Sequence, residues 1–257
     1  MSGPCGWPQD RDAPHPDPAG SLLVEDDIEL RVPNERDADE LFLNVDANRD
    51  YLRAWLPWVD DVTSVEDEAA AIRRSAETRE KGEGCFYLIC LEGNIVGTLS
   101  LNSIDWDNRG FVVGYWISEE SMGKGIVTKS CARLLDHCFD DLCLHRGSLE
   151  VAVENNASIA IAERLGMRLE GLTREREWLY DHYVDASMMP ANDVEISMLN
   201  VEISKGQKTH VETLRHSDNR QTTTQTTVCG DISSERFVRL PLVCRPPQRV
   251  AVRRPAR

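Results

Sequence analysis

Residues 121–139, SMGKGIVTKSCARLLDHCF, place two glycines directly before a run whose apolar residues recur at helical spacing. A helix that opens in this way leaves its first amides without partners inside the helix, all directed at one point beside the positive end of its dipole. Such a turn either receives an anion, typically a phosphate, or serves only to reverse the chain. Gly123 and Gly125 carry no Cβ, so a ligand can approach the main chain there, and Lys124 adds a nearby positive charge. Neither GxGxxG nor GxxxxGK[ST] occurs at this turn, which separates it from the two familiar nucleotide motifs.

The surrounding pattern predicts a mixed sheet. Residues 28–32, IELRV, alternate as a half-buried strand, and a helix follows over 34–45 with Asn34 as its N-cap. Pro57 interrupts YLRAWLPWV, and Thr63 or Ser64 caps a second helix with acidic residues near its start. Strands over 85–91 and 95–104 flank the turn Glu92-Gly93-Asn94, and a third over 110–117 runs straight into the glycine turn and its helix. Beyond these, 145–153 reads as a strand, 155–166 as a helix ended by Gly166, and 167–180 with 182–189 as a closing antiparallel pair. This order predicts one α+β (mixed α/β) domain with about seven strands and about four helices.

The ends differ in character from the middle. Residues 1–24 open on a Pro-, Gly- and Asp-rich stretch without an apolar core of signal-peptide type, and are expected to be a disordered lead. The domain is expected over 25–190, and 191–257, with QTTTQTT and RPPQRVAVRRPAR, as a low-complexity, disordered basic tail. Residues 200–257 hold 11 of the 29 basic and 5 of the 44 acidic residues, which leaves residues 1–199 with 18 and 39. A body so acidic repels nucleic acid and attracts amines. No apolar run reaches membrane-spanning length, and the expected location is cytoplasmic. Eight cysteines without a CxxC pair speak against a disulfide framework or a zinc site, and no metal is expected.

Taken in order, YLRAWLPWV, GYWISEESMGKGIVTKS, VENNASIAIAERLGM, LEGLTREREW and YVDASMM resemble the GNAT N-acetyltransferases, specifically the ribosomal-protein N-terminal (serine/alanine) acetyltransferase branch. The resemblance implies the GNAT fold and acetyl-CoA as cosubstrate. It places the family's Gln/Arg-x-x-Gly-x-Gly/Ala turn, which binds pyrophosphate, on Met122, Gly123, Lys124, Gly125, Ile126 and Val127. Met122 and Val127 depart from that pattern, as does Val112, where the branch commonly has Glu. The resemblance further implies that Tyr115, Trp116, Ile117 and Ser118 lie where backbone groups pair with the pantetheine arm and polarise the thioester. Asn155 would cap the next helix or bond the pantetheine, and Ser158 would protonate the departing thiolate or simply start that helix. Trp55 and Trp58 would wall the acceptor pocket or belong to core and turn.

Carboxylates able to take the amine's proton are numerous: Glu119, Glu120, Glu154, Asp181 and Asp185, with no choice among them. The expected activity is direct transfer of acetyl to a primary amine, either a protein N-terminal α-amine or a small amine, in a ternary complex. The alternative is a catalytically inactive CoA-binding regulatory or interaction module of the same fold. A nucleic-acid-linked regulator acting through the basic tail ranks last, so neither nucleic acid nor membrane is expected as a partner. Monomer and homodimer both remain open.

Overall fold

The computed structural model describes residues 16–18 and 20–192; the expected lead up to residue 15 and the tail from 193 onward lie outside the described residues. Along the chain run β1 (Leu22–Glu25), β2 (Ile28–Arg31), α1 (Ala38–Ala47), α2 (Arg49–Arg53), α3 (Val65–Glu80), β3 (Cys85–Leu91), β4 (Asn94–Asp105), β5 (Gly110–Ile117), α4 (Ile126–Asp136), β6 (Arg146–Ala152), α5 (Asn156–Arg164), β7 (Gly171–Leu179) and β8 (His182–Asn192). The strands form one mixed sheet in the order β1-β2-β3-β4-β5-β6-β8-β7. Within it β5 and β6 are parallel neighbours, and the other pairs are antiparallel.

Two expected boundaries are corrected. The eighth strand is β1, inside the segment expected as a disordered lead: Leu22 is buried and faces Leu30 of β2, so its apolar side chain is held in the core. At the other end β8 continues past 190. Ala191 is buried opposite Gly147, and Asn192 faces Arg146. The fifth helix is the short α2, which forms from the start of YLRAWLPWV and ends four residues before Pro57.

The sheet is covered on both faces, as alternation along β3 already requires. Tyr87 and Ile89 join one apolar cluster with α4 and α5, while Leu88 and Cys90 join a second with α1, α2 and α3. Helix α4 earns its place through Ile126, Val127, Cys131, Leu134 and Leu135, all buried along one stripe. Helix α3 starts at Ser64, whose side chain and that of Asp67 close a capping box.

Two irregularities in β4 prepare the site. An extra residue, Val96, interrupts the β3–β4 register, and α1 reaches over to it: Glu40 Oε1 accepts the Ile95 amide at 2.7 Å, and Asn44 donates to the Ile95 carbonyl. A second extra residue, Asn102, interrupts the β4–β5 register between Leu101 and Ser103. Bulges of this kind increase local twist and bend the strand. Asn102 lies against Gly114, where a Cβ would come within 2.6 Å of its amide nitrogen.

Close approach of β4 and β5 depends on Gly97, since a Cβ there would lie 2.2 Å from the Trp116 carbonyl oxygen and 2.8 Å from the Ile117 Cα. Gly97→Ala is expected to destabilise the fold by about 1–3 kcal/mol, read as a lower urea midpoint at unchanged slope. Gly171→Ala, with open space around the new atom, is expected to leave the midpoint in place.

Candidate functional site

Strands β5 and β6 pair in parallel only from Gly110 and Arg146 to Val113 and Leu149. Beyond that point they part. Glu150 to Ala152 remain bonded to β8, and Gly114 to Ile117 remain bonded to β4, so the facing edges of the two strands lose each other. The Ser118 amide donates to the Val96 carbonyl at 2.7 Å, on the β4 side. Alternation along an antiparallel ladder then directs the backbone groups of Tyr115 and Ile117 the other way, into the gap. Backbone polar groups left facing a cleft need a partner there.

The gap opens into a cleft of about 1100 Å3. At one end stands the glycine turn. Gly123 and Gly125 have φ of +72° and +79°, and Gly125 is the N-cap of α4. No side chain caps α4, and no acidic residue stands in its first turn, so the amides there face the cleft mouth with the positive dipole end. Positive charge gathers around it. Lys124 is exposed, Lys129 pairs with Glu25 at 2.6 Å, and Arg164 lines the cleft while donating to Thr128 Oγ1 at 3.3 Å. Both departures from the family pattern at this turn line the cleft. Met122 is an exposed side chain, and Val127 is buried in the core beneath α4.

Asn155 is the N-cap of α5, its Oδ1 accepting the Ser158 amide at 3.1 Å, and both residues line the cleft. Tyr115 lines it from the opposite wall, its ring packed against the core below α4. The Tyr115 hydroxyl is buried and has no hydrogen-bond partner among the described residues. Cys131, beside Tyr115, is wholly buried, and burial pushes its thiol far up. A thiol held neutral is no nucleophile, which favours direct attack by the amine over an acyl-cysteine route.

The other end of the cleft is walled by Trp55, Pro57 and Trp58. That loop is pinned from several sides. Tyr180 donates its hydroxyl hydrogen to the Leu56 carbonyl at 2.6 Å, Arg49 bonds the Val59 and Val62 carbonyls at 2.6 and 2.8 Å, and Arg53 lies over the Tyr180 ring while gripping Asp60. The two tryptophans therefore present fixed, half-buried faces to whatever enters.

None of the five carboxylates considered from the sequence lines this cleft, whereas Glu150 and Glu177 do. Asp185 spends its carboxylate on the Glu175 amide at 2.8 Å. Asp181 sits exposed at the hairpin tip, where the His182 ring holds its carboxyl below the ordinary range. Glu154, Asp181 and Asp185 line a separate, neighbouring hollow, and Glu119 and Glu120 stand on the exposed turn before Met122. Partial burial raises the Glu177 carboxyl above the usual range; Arg176 opposes the shift and Glu150 adds to it. Arg176 is itself bound to Glu150 at 2.8 Å. Val112 lines the same cleft, to which β6 contributes Glu150 and β7 Glu177.

Residues 27–168 match the family model described as Acetyltransferase (GNAT) domain. The chain belongs to the GNAT acetyltransferase family. Acetyl transfer from acetyl-CoA to nitrogen, the activity expected from the sequence, is the activity of this family. The chain is 32% identical over 157 residues to a Bacillus subtilis (strain 168) protein provisionally named a ribosomal N-acetyltransferase, an alignment covering 59% of this chain and 84% of that one. Among solved structures it is similar to RimL, a ribosomal L7/L12 alpha-N-protein acetyltransferase in complex with coenzyme A, with TM-score 0.66 and 29% identity, covering 67% of this chain and 98% of that one. It is also similar to MccE, a microcin C7 self-immunity acetyltransferase in complex with acetyl-CoA and AMP, with TM-score 0.65 and 28% identity, covering 68% and 98%. The GNAT fold expected from the sequence is thus the fold observed, with eight strands rather than seven. No helix among the described residues is long and apolar enough to cross a membrane.

Gly125→Glu adds a side chain at a left-handed φ and a negative charge at the helix start. The folded variant is expected to lose at least about tenfold in acetyl-CoA affinity by calorimetry, or about 1.4 kcal/mol. Unchanged affinity would remove the turn from the binding site.

Proposed function

We propose that this protein acetylates the N-terminal α-amine of a protein or peptide, by direct attack of the amine on acetyl-CoA within the cleft between β5 and β6. The observation that carries this reading is the parting of those strands beside an uncapped, glycine-opened helix. Acetyl-CoA supplies an activated acetyl group. In this assignment the amides of Gly123 to Val127 hold the pyrophosphate with Lys124 and Arg164 nearby, and Met122 flanks them. The backbone of Tyr115 and Ile117 holds the arm, with Trp116 and Ser118 anchoring the strand on its other side. A backbone donor aimed at the thioester oxygen stabilises the negative charge that gathers there during attack. Asn155 orients the start of α5, and the Ser158 hydroxyl gives a proton to the departing sulfur.

The acceptor would lie against Trp55 and Trp58, with Glu177 taking its proton. The pKa of the acceptor argues for an α-amine. A terminal amine titrates near 8 and a side-chain amine near 10.4, so holding the former neutral costs about 3 kcal/mol less. A carboxylate that stays largely exposed is better matched to the smaller task. The relative RimL, named for α-N-protein acetylation, supports the same choice.

With acetyl-CoA, peptides that begin with Ser or Ala are expected to be acetylated in preference to spermidine or an aminoglycoside. Preference for the small amines would overturn the acceptor assignment, and binding without transfer to any of them would favour the inactive-module reading. Glu177 must be ionised to act, so kcat/KM should rise with pH through its raised pKa and level off above it. Glu177→Gln is expected to flatten that limb and lower kcat/KM by about 100-fold or more.

A further inference from the structure

We propose that Asn48 is a positioning residue that ties the tryptophan wall to the glycine turn, so that the acceptor and the acyl donor bind cooperatively. This inference rests on the acetyl-CoA and α-amine reading above and adds to it how the two ends of the cleft are coupled.

Asn48 stands where α1 ends and α2 begins: its amide donates to the Val45 carbonyl at 3.1 Å, and its carbonyl accepts the Leu52 amide at 2.9 Å. An asparagine at a helix start ordinarily turns its side-chain oxygen back onto the first amides of that helix. Asn48 makes no such cap on α2. Its Oδ1 instead accepts the Glu119 amide at 2.8 Å, from 71 residues along the chain, while its Nδ2 donates to the Asn44 carbonyl at 2.8 Å. The oxygen that would stabilise its own helix thus holds the segment between β5 and the glycine turn.

Along that segment the Ser118 amide donates to the Val96 carbonyl at 2.7 Å. The single turn Glu119–Ser121 then closes on itself, with the Ser121 and Met122 amides donating to the Ser118 and Glu119 carbonyls at 3.0 and 3.1 Å, and Gly123 follows at once. Asn48 ties this turn to α1 from outside. Behind it, Asn44 and Glu40 bond Ile95, beside the Val96 bulge. Residues four apart share a helix face, so one face of α1, continued by Asn48, grips both the bulge and the turn before Met122.

On its other side Asn48 leads into the acceptor wall. Tyr51, Leu52 and Trp55 follow it and line the cleft, and its neighbour Arg49 bonds the Val59 and Val62 carbonyls beyond Trp58. Tyr51 lies close enough to the turn that the Glu119 carboxylate adds to the rise that burial gives its phenol. Asn48 itself does not line the cleft, so it acts on ligands through the two segments it joins. A donor bound at the glycine turn steadies Glu119 and, through Asn48, the start of α2; the acceptor then meets a wall already ordered. Such coupling is reciprocal, and the acceptor tightens the donor by the same factor.

The experiment measures by calorimetry the binding of CoA and of a peptide beginning with Ser, each alone and with the other saturating. CoA carries no acetyl group, so nothing turns over. In the parent each ligand is expected to tighten the other by about fivefold or more. Asn48→Ala, which removes the oxygen, is expected to bring both factors to about one. Asn48→Asp, which keeps an oxygen for the Glu119 amide, is expected to retain most of the coupling. A role in stability alone would weaken both ligands and leave the factor in place. A folded Asn48→Ala with the parental factor, or an Asn48→Asp as uncoupled as Asn48→Ala, therefore overturns the inference. Should Asn48→Ala fail to fold, hydrogen exchange in the parent decides: the peptide alone must slow exchange at the Glu119 amide, and an unchanged rate overturns the inference. A parent that binds both ligands without coupling overturns the inference alone. A parent that binds no CoA overturns the acetyl-CoA reading, and one that binds CoA but no peptide overturns the acceptor assignment, each taking the inference with it.

Discussion

Everything in this cleft depends on two neighbouring strands that stop pairing. Over four residues β5 and β6 form an ordinary parallel ladder, and then each keeps only its outer partner. A sheet gives up such hydrogen bonds at a cost comparable to burying unpaired backbone groups, unless something else meets them. An irregularity lies one strand away. The Asn102 bulge in β4 lies opposite Val112 and Val113, where β5 makes its last pairs with β6, and the Asn102 side chain lies over Gly114. The bulge at Asn102 and the start of the cleft thus fall at the same level of the sheet.

The two ends of the cleft are chemically unlike, and the difference follows from which elements reach them. One end is backbone: glycines with left-handed φ, an uncapped helix start, and cations with no acidic residue in the first turn of α4. An end of that kind suits a phosphate. The other end is side chain: two tryptophans on a loop tied down by Tyr180 and Arg49, facing Glu150 and Glu177. It suits an amine. Tyr115 and Ser158 both line the cleft as well. The acidic body, with 39 acidic against 18 basic residues in positions 1–199, favours the amine's arrival, while the local cations reserve the turn for the donor.

Much of this was legible in the sequence, and the parts that were not share one trait. The glycine turn, the amphipathic stripe of α4 and the Asn155 cap are local patterns, and local patterns survive into the structure. Glu177 lies in the charged stretch TREREW of an expected strand, where spacing alone singles out no one carboxylate. Three β7 residues, 174–176, face the single Asp185 across a bulge, Glu175 takes a φ of +47°, and this two-residue slip sets Glu177 opposite Val184, which lines the cleft. Strand β1 was missed since four residues beside a Pro- and Gly-rich lead carry little periodicity; its partner β2 makes it a strand. Arg164 reaches the turn because α5 lies beside the start of α4. Each omission is a matter of which strand or helix becomes a neighbour, which spacing along the chain does not record.

The central claim is that the backbone edge of β5, freed from β6, receives the acyl donor. Amide hydrogen exchange followed residue by residue, with and without acetyl-CoA, tests it most directly. The account predicts that protection rises at Tyr115 and Ile117 and in the first turn of α4, while Trp116 and Ser118, already on the β4 side, change little. Protection that rises elsewhere and leaves Tyr115 and Ile117 untouched would contradict it.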